Sequence, residues 1–365
     1  MQNQLNAVRA DRGPGSGRFL AMGGLYSAAL SADGLLLEGP DGALRWRLEH
    51  SADEVRLLHA SGPLSEAALL AALETVFALL PATSLIHTHA PAALCLPLVA
   101  DGAVEAAPAQ NSTGDEIRIV AAADMFWQYA PLWLAQPARQ PFPVRQLICD
   151  GKRHPQRPAK PKGIVYQRFI PWLDQMLSFR SVDIERDLMN FNRWMNDPVV
   201  AEFWQEEGTP EQHRAYLSKL AADPHTVTLL ACLDDVPFGY FEVYWAKEDR
   251  ISPYYDADDF DRGWHVLIGE AAYRGKPFVT AWLASISHYI FLDDCRTRRI
   301  PIEPRADNRK MIRNLGLGGY ANLKEFDFPH KRAMLGMLLR ERFFSEKLWM
   351  PRDDSAATGL SASLA

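Results

Sequence analysis

The stretch from Arg262 to Asp294 limits the fold more than any other. It reads RGWHVLIGE, then AAYRGKP, then FVTAWLASISHYIFLDD. The first piece alternates: Trp264, Val266 and Ile268 face one side and His265 and Leu267 the other, the period of a strand. The third places Phe278, Trp282, Ile286 and Ile290 four residues apart, with Val279 and Leu283 beside them, so a helix buries one face. Between them, Arg274, Gly275 and Lys276 form a basic glycine turn. A strand that delivers such a turn onto a helix start offers backbone N–H groups and the helix dipole to an anion. With a histidine one strand-length upstream, the pattern points to a phosphate-tailed acyl donor held beside a general base.

Around that stretch the composition is permissive. The 365 residues are 48% hydrophobic and 23% charged, enough for a core in each of two domains. A formal net charge of −6 argues against a nucleic-acid partner. Cys95, Cys149, Cys232 and Cys295 are scattered, so neither a zinc site nor a disulfide framework is expected and no metal is assigned. The opening MQNQLNAVRADRGPGSGR has no apolar secretory core, and no run is long and apolar enough to span a bilayer. The expectation is a cytoplasmic protein with no membrane contact.

Residues 1–17 and 351–365 are expected to be disordered. Residues 18–150 read as a smaller α+β domain. Asp33-Gly34 and Asp41-Gly42 separate strand-like pieces, which predicts an antiparallel meander. Ser65 starts an alanine- and leucine-rich helix that runs to Leu80. SLIHTH and EIRIVAA follow as strands, with a polar loop around Asn111 to Asp115 between them. His87 and His89 face one side of SLIHTH; with no third ligand nearby they are read as structural. The basic, proline-rich residues 151–165 read as a stiff solvated linker. Residues 166–350 then run helix, helix, strand, strand, strand, helix, strand, helix, strand. The first helix stops at Asn196-Asp197-Pro198 and the second covers Pro210 to Ala221. Thr226 to Leu233 and Pro237 to Ala246 are strands joined at Asp234-Asp235. A helix is expected from about Asn308, and a last amphipathic helix within His330 to Lys347.

That order is similar to the GNAT acetyltransferase fold. The segments WMNDPVVAEFW, PFGYFEVYWAKEDRISPYYDADDFDRGWHVLIGE, HYIFLDD, EPRADN and EFDFPHKRAML cover about Phe191 to Arg342. As a set they resemble the siderophore-biosynthesis acyltransferases that acylate N-hydroxylated lysine, ornithine or diamines, nearest to the aerobactin-type N-hydroxylysine acetyltransferases. The resemblance implies an α/β (α+β) chain with a GNAT domain in its C-terminal half. It implies acetyl-CoA, or another acyl-CoA, as co-substrate, a small-molecule hydroxylamine as acceptor and a hydroxamate as product. A flavin amine hydroxylase and a siderophore synthetase are the implied pathway partners, and a homodimer is compatible. The preceding domain is then a degenerate copy of the fold or a dimerisation and lid domain. The alternatives are a GNAT acetyltransferase of an ordinary amine and a non-catalytic CoA-binding module. One departure from the general pattern stands out: Pro277 and Val279 occupy positions where small residues usually follow the glycine, and proline has no N–H to offer a phosphate.

The resemblance makes His265 the candidate base and Asp307 its acidic partner. A hydroxylamine nitrogen is far less basic than an alkylamine, so a neutral imidazole is well matched to removing its proton during attack. The competing reading of His265 is a buried ring satisfied by a carbonyl; that of Asp307 is a cap on the helix after it. Leu267, Ile268, Arg274, Gly275, Lys276 and Asn308 are the implied donor-binding residues. Trp204, Glu242, Glu303 and Arg305 are the implied acceptor-binding residues, against readings of Trp204 as core, Glu242 as solvent-facing and Glu303–Arg305 as a surface pair. The acidic run from Asp256 to Asp261 is a candidate lure for a cationic substrate, and Lys331 and Arg332 are candidate phosphate contacts. His288 is read as structural.

Overall fold

The computed structural model describes residues 15–107, 115–138, 140–149 and 151–351. The expectations for 1–14, 111–114 and 352–365 fall outside the described residues. The chain divides into two compact units, one running to Trp133 and including Arg168–Met176, the other comprising Leu134–Gln167 and the chain from Leu177 onward.

The first unit is one sheet with helices. Strands β1 (Ser16–Ala21), β2 (Gly24–Leu30), β3 (Gly34–Gly39), β4 (Gly42–Ser51) and β5 (Glu54–Ser61) form the antiparallel meander that the Asp-Gly turns imply. Ser16 and Gly17, expected to be disordered, are paired in β1. Helix α1 (Glu66–Leu79) is capped by the Ser65 side chain, which accepts from the Ala68 N–H. It crosses to β6 (Leu85–Pro91), which lies parallel to β5. Helix α2 (Ala92–Ala100), strands β7 (Glu105–Ala106) and β8 (Glu116–Ala122) and the one-turn helix α3 (Ala123–Phe126) complete it. His87 sits 3.2 Å from Glu54 and 3.3 Å from Arg118, in keeping with a structural role. The aromatic run packs on its own unit: Trp127 stacks on Trp133 at 4.6 Å. The Trp133 indole donates to buried Glu74, whose carboxyl burial pushes up to about 7.

In the second unit, the stretch expected to be a solvated linker is packed. It supplies β10 (Lys152–Pro155), which pairs with β9 (Gln146–Cys149) just before it, and Arg157 makes two bonds, of 2.5 and 2.7 Å, to Glu248. A second hairpin, β11 (Ile164–Ile170) and β12 (Gln175–Ser181), then precedes the expected elements. Helices α4 (Ile184–Met195), α5 (Pro198–Trp204) and α6 (Pro210–Ala222) each start on a side-chain cap, at Asp183, Asp197 and Thr209. Strands β13 (Thr226–Leu233) and β14 (Val236–Trp245) join through Asp234 and Asp235, both at positive φ as a tight hairpin demands. Strand β15 (Arg262–Ile268) closes a five-stranded sheet in the order β11-β12-β13-β14-β15.

Helix α7 (Lys276–Asp293) follows and covers one face of that sheet, with Trp282 packed edge-on against Phe241 and Trp264. Helices α4–α6 cover the other through Leu188, Phe191, Trp194, Leu217, Tyr240 and Leu267. Strand β16 (Arg299–Ile302), helix α8 (Arg309–Leu317) and strands β17 (Ala321–Asp327) and β18 (Arg332–Leu339) form a second, three-stranded sheet in the order β16-β18-β17. The split between β15 and β16 is the splay of a GNAT sheet. The expected last helix is reduced to α9 (Arg340–Ser345), because RAMLGMLL is β18. A strand buried on both faces and paired along both edges lacks the alternation that would reveal it.

Gly263 lets β15 and β14 approach: a Cβ there would sit 2.3–2.4 Å from the Tyr244 ring and hydroxyl. Gly263→Ala is therefore expected to lower stability by about 1–3 kcal/mol, as overpacking does. An unchanged urea midpoint would show that Tyr244 can move aside.

Candidate active site

In the β14–β15 register Glu242 lies directly opposite His265, so both side chains leave the same face. The first residue after β16, Glu303, reaches the ring from across the split. His265 Nδ1 is 3.0 Å from Glu242 and Nε2 is 2.8 Å from Glu303. Both carboxylates are almost fully enclosed while the imidazole keeps 23% of its surface exposed. Tyrosines fix the acids. Tyr216 and Tyr240 donate to Glu242 at 2.5 and 3.0 Å, and Tyr244 donates to Glu303 at 2.8 Å.

Two charged partners override the cost of burying an imidazolium. Desolvation works to lower the His265 pKa, yet Glu303 and Glu242 together push it up to about 10. Glu303 is desolvated too, but His265, Lys331 and Arg250 hold its carboxyl far below the ordinary range. Glu242 is also held low against its burial, chiefly by His265. Against the expectation of a neutral imidazole, the two acids favour the protonated form of the ring.

A cavity of about 520 Å³ opens onto this triad. Trp204, Tyr216 and Val266 line it from one side and Ile302, Met311 and Leu315 from the other. Among the expected site residues, Trp204, Glu242, His265, Glu303, Arg305 and Asn308 all line it. Trp204 also donates its indole N–H to the Val266 carbonyl at 3.1 Å. Asn308 is the cap of α8, accepting from the Met311 N–H.

Asp307 is not at the histidine. It pairs with Arg305 at 2.5 Å and its side chain is 64% exposed, so the short Arg-x-Asp spacing satisfies it locally. Glu303 takes the position expected of Asp307, and Asn308 takes the capping role. The donor-binding expectations also shift. The Leu267 side chain is core, only 3% exposed. The Ile268 carbonyl accepts from Arg274, whose guanidinium also bonds the Gly269 carbonyl and lies 3.4 Å from Asp197. Arg274 thus braces the turn. Gly275 is the N-cap of α7 at φ 132°, with open space where a Cβ would stand, and Lys276 is exposed beside it. Within the expected acidic lure, Asp261 is buried against Arg299. His288 is buried and bonded to Tyr166. Tyr216, Tyr244 and Arg250 escaped the sequence reading; the Tyr-x-Glu-x-Tyr alternation of β14 was the available signal for Tyr244.

Away from this cavity, His154, His225 and Glu248 bring ligand-type atoms within 4.8 Å of one another. The Arg157 fork already occupies the Glu248 carboxylate, which makes this an ion-pair cluster.

An acetyltransferase (GNAT) domain model matches residues 183–328. The N(6)-hydroxylysine O-acetyltransferase of Escherichia coli is 40% identical over 306 residues, 83% of this chain and 92% of that protein. The chain belongs to the siderophore-biosynthesis GNAT acyltransferases. Two fungal relatives match over a shorter span. The N(5)-hydroxyornithine:cis-anhydromevalonyl coenzyme A-N(5)-transacylase SIDF of Beauveria bassiana is 48% identical over 52% of this chain and 43% of its own. The hydroxyornithine transacylase SID3 of Ajellomyces capsulatus is 39% identical over 62% of this chain and 58% of its own. This chain spans about half the length of those two. As a GNAT acyltransferase it takes an acyl-CoA co-substrate. Among the described residues no helix is long and apolar enough to cross a membrane.

The charge state is open to measurement. A group whose folded pKa is raised stabilises the fold fully below its unfolded pKa, and loses that contribution as pH rises through the folded value. For His265 that window runs from about 6.5 up to about 10. Its ring NMR signals should stay fixed between about pH 6 and 8, and His265→Gln should remove part of the alkaline loss of stability. A histidine titrating near its ordinary value would refute the clamped imidazolium.

Proposed function

We propose that this protein transfers an acyl group, acetyl by default, from acyl-CoA to the nitrogen of an N-hydroxylated lysine, ornithine or related amine, giving a hydroxamate. The observation that carries the reading is the His265 ring held between two buried carboxylates at the wall of a cavity in the sheet split. The names of the relatives, which act on hydroxylysine and hydroxyornithine, support the acceptor.

The residues fit the co-substrate. The unpaired flank of β15 faces the split, the cavity there accommodates a slender arm, and Gly275 leaves open space at the start of α7. Arg274 braces the turn through the Ile268 and Gly269 carbonyls, and the start of α7 follows directly after it. The co-substrate supplies an activated thioester carbon. The hydroxylamine nitrogen forms a bond to that carbon, the carbon–sulfur bond breaks, and one proton leaves nitrogen while the sulfur departs as a thiol.

The Glu242–His265–Glu303 unit is the proton acceptor in this proposal. An imidazolium can take a proton on one nitrogen only by passing another to a carboxylate, so the three residues act as a relay with room for one more proton. Lowered carboxyl pKa values make it a weak base. That suffices, because the nitrogen becomes strongly acidic as its new bond forms. Tyr216, Tyr240 and Tyr244 hold the acids in place, and Trp204 walls the acceptor.

Purified protein incubated with acetyl-CoA and N6-hydroxylysine should release thiol and yield a product that chelates ferric iron, as an N-acyl hydroxamate does and an O-acyl ester does not. Lysine should react far more slowly; faster turnover of lysine would reject the assignment. His265→Ala and Glu303→Gln should each lower kcat by about 10²–10⁴-fold, the usual contribution of a positioned acid–base group. Asp307→Asn should stay within a few-fold of wild type in kcat, since that residue faces outward.

A further inference from the structure

The basic, proline-rich segment ahead of the five-stranded sheet is spent on one loop. Strand β14 ends at Trp245, and residues 246–251 carry the chain past the cavity. Side chains along this loop point two ways. Glu248 turns back to the segment, while Asp249 and Arg250 line the cavity. The Glu248 carboxylate is nearly enclosed; Arg157 takes both of its oxygens in a fork, and His154 Nδ1 stands 2.9 Å from one of them. Lys152 holds the backbone of the same stretch, donating to the Glu248 carbonyl at 2.7 Å and to the Asp249 carbonyl at 2.8 Å. The Arg157 guanidinium also lies over the Trp245 ring, 4.1 Å from its centre, so one side chain fixes both the strand end and the loop.

The loop brings charge of both signs to the triad. Arg250 comes within 3.6 Å of Glu303, the acid that reaches His265 Nε2. The Arg250 side chain is half-exposed, so its reach to Glu303 depends on where its backbone runs. The Asp249 carboxylate accepts from the Ile251 N–H at 2.9 Å, and burial together with the Glu303 charge holds it above its ordinary pKa range. Moving the loop would therefore change two charges at Glu303 at once.

We infer that Lys152 and Arg157 are positioning residues for the transfer reaction: they clamp residues 245–249 so that Asp249 and Arg250 stand against Glu303. This rests on the acyltransferase reading above and adds to it a part of the chain whose composition marks it as a linker. A buried carboxylate without its cation is costly, so the Arg157–Glu248 fork leaves the loop one course. The Lys152 ammonium joins two consecutive carbonyls and fixes the peptide planes from which Asp249 and Arg250 depart. Neither residue lines the cavity, so both act through the loop.

The test is a double-mutant cycle on kcat in the full chain, with acetyl-CoA and N6-hydroxylysine. Lys152→Met keeps the apolar stem and removes the ammonium. It should lower kcat by about 10²-fold, the scale of a misplacement of about 1 Å, and Lys152→Arg should recover much of that loss. Arg250→Gln should also lower kcat. The double variant should cost little more than the worse single one, because both changes break the same contact with Glu303. Arg157→Gln should couple to Arg250→Gln in the same way, and it takes the place of Lys152→Met should that variant fail to fold. Amide exchange at Ile251 should quicken in Lys152→Met while exchange in β13 stays as in wild type, a readout free of turnover. Losses that multiply in the double variant mark Lys152 as a merely structural residue and overturn the inference. Wild-type kcat in both Lys152→Met and Arg157→Gln, or in Arg250→Gln, overturns it as well and leaves the acyltransferase reading standing. No turnover of the hydroxylamine by wild type would overturn both.

Discussion

A single cross-strand pair governs the second unit: Glu242 opposite His265 in the β14–β15 register. Because side chains alternate along a strand, a slip of one residue would send the histidine to the α7 face, away from both carboxylates. The register is protected by what surrounds it. Phe241 and Trp264 bury against α7, Tyr240 and Leu267 bury against α4–α6, and the Asp234–Asp235 turn sets the strand upstream. The geometry of the candidate site and the packing of the core are therefore one constraint. The polar pair occupies a face that is otherwise aromatic and aliphatic, and it is tolerated there because every donor and acceptor of the ring is matched to a charge.

Burying three ionised groups is costly unless each has a partner. Here the tyrosines perform a second task besides orientation. Each donates to a carboxylate oxygen that the imidazolium does not use, so the acids are stabilised without losing their charge. Burial and the neighbouring acids push the Tyr240 and Tyr244 hydroxyls well above their usual value, which keeps them protonated as donors. The result is a histidine and two acids held in fixed positions by bonds that are in place before any substrate arrives.

Much of this was legible in the residues. The period-two and period-four patterns of 262–294 locate β15 and α7, the Asn196-Asp197-Pro198 stop locates the break between α4 and α5, and the Asp-Gly pairs locate the meander. The resemblance of the segments from Phe191 to Arg342 carried the family. What remained hidden was long-range. Glu303 and Asp307 are equally plausible acids in IEPRADN, and only the crossing of β16 beside β15 decides which one reaches the ring. The carboxylates that favour a protonated His265 were hidden for the same reason: an isolated imidazole is neutral near pH 7, and two facing acids cannot be counted without the fold. Strand β18 and the β11–β12 hairpin were missed because neither segment alternates cleanly. The packed role of residues 151–163 was hidden because basic, proline-rich composition looks the same whether its cations meet water or Glu248.

The β11–β12 hairpin carries a consequence for dissecting the molecule. Its tip, Arg168–Met176, belongs to the first unit although both of its strands begin or end in the second. Phe169 stacks edge-on with Phe19 at 5.3 Å, and the Arg168 guanidinium lies 4.9 Å from the Trp127 ring centre. A chain severed after Trp133 would leave the amino-terminal fragment without either side chain, and Glu74 without the nearby guanidinium that tempers its burial. The carboxy-terminal fragment would carry an aromatic loop stripped of its bed. The two units are interleaved in sequence, so no single scission yields either one whole.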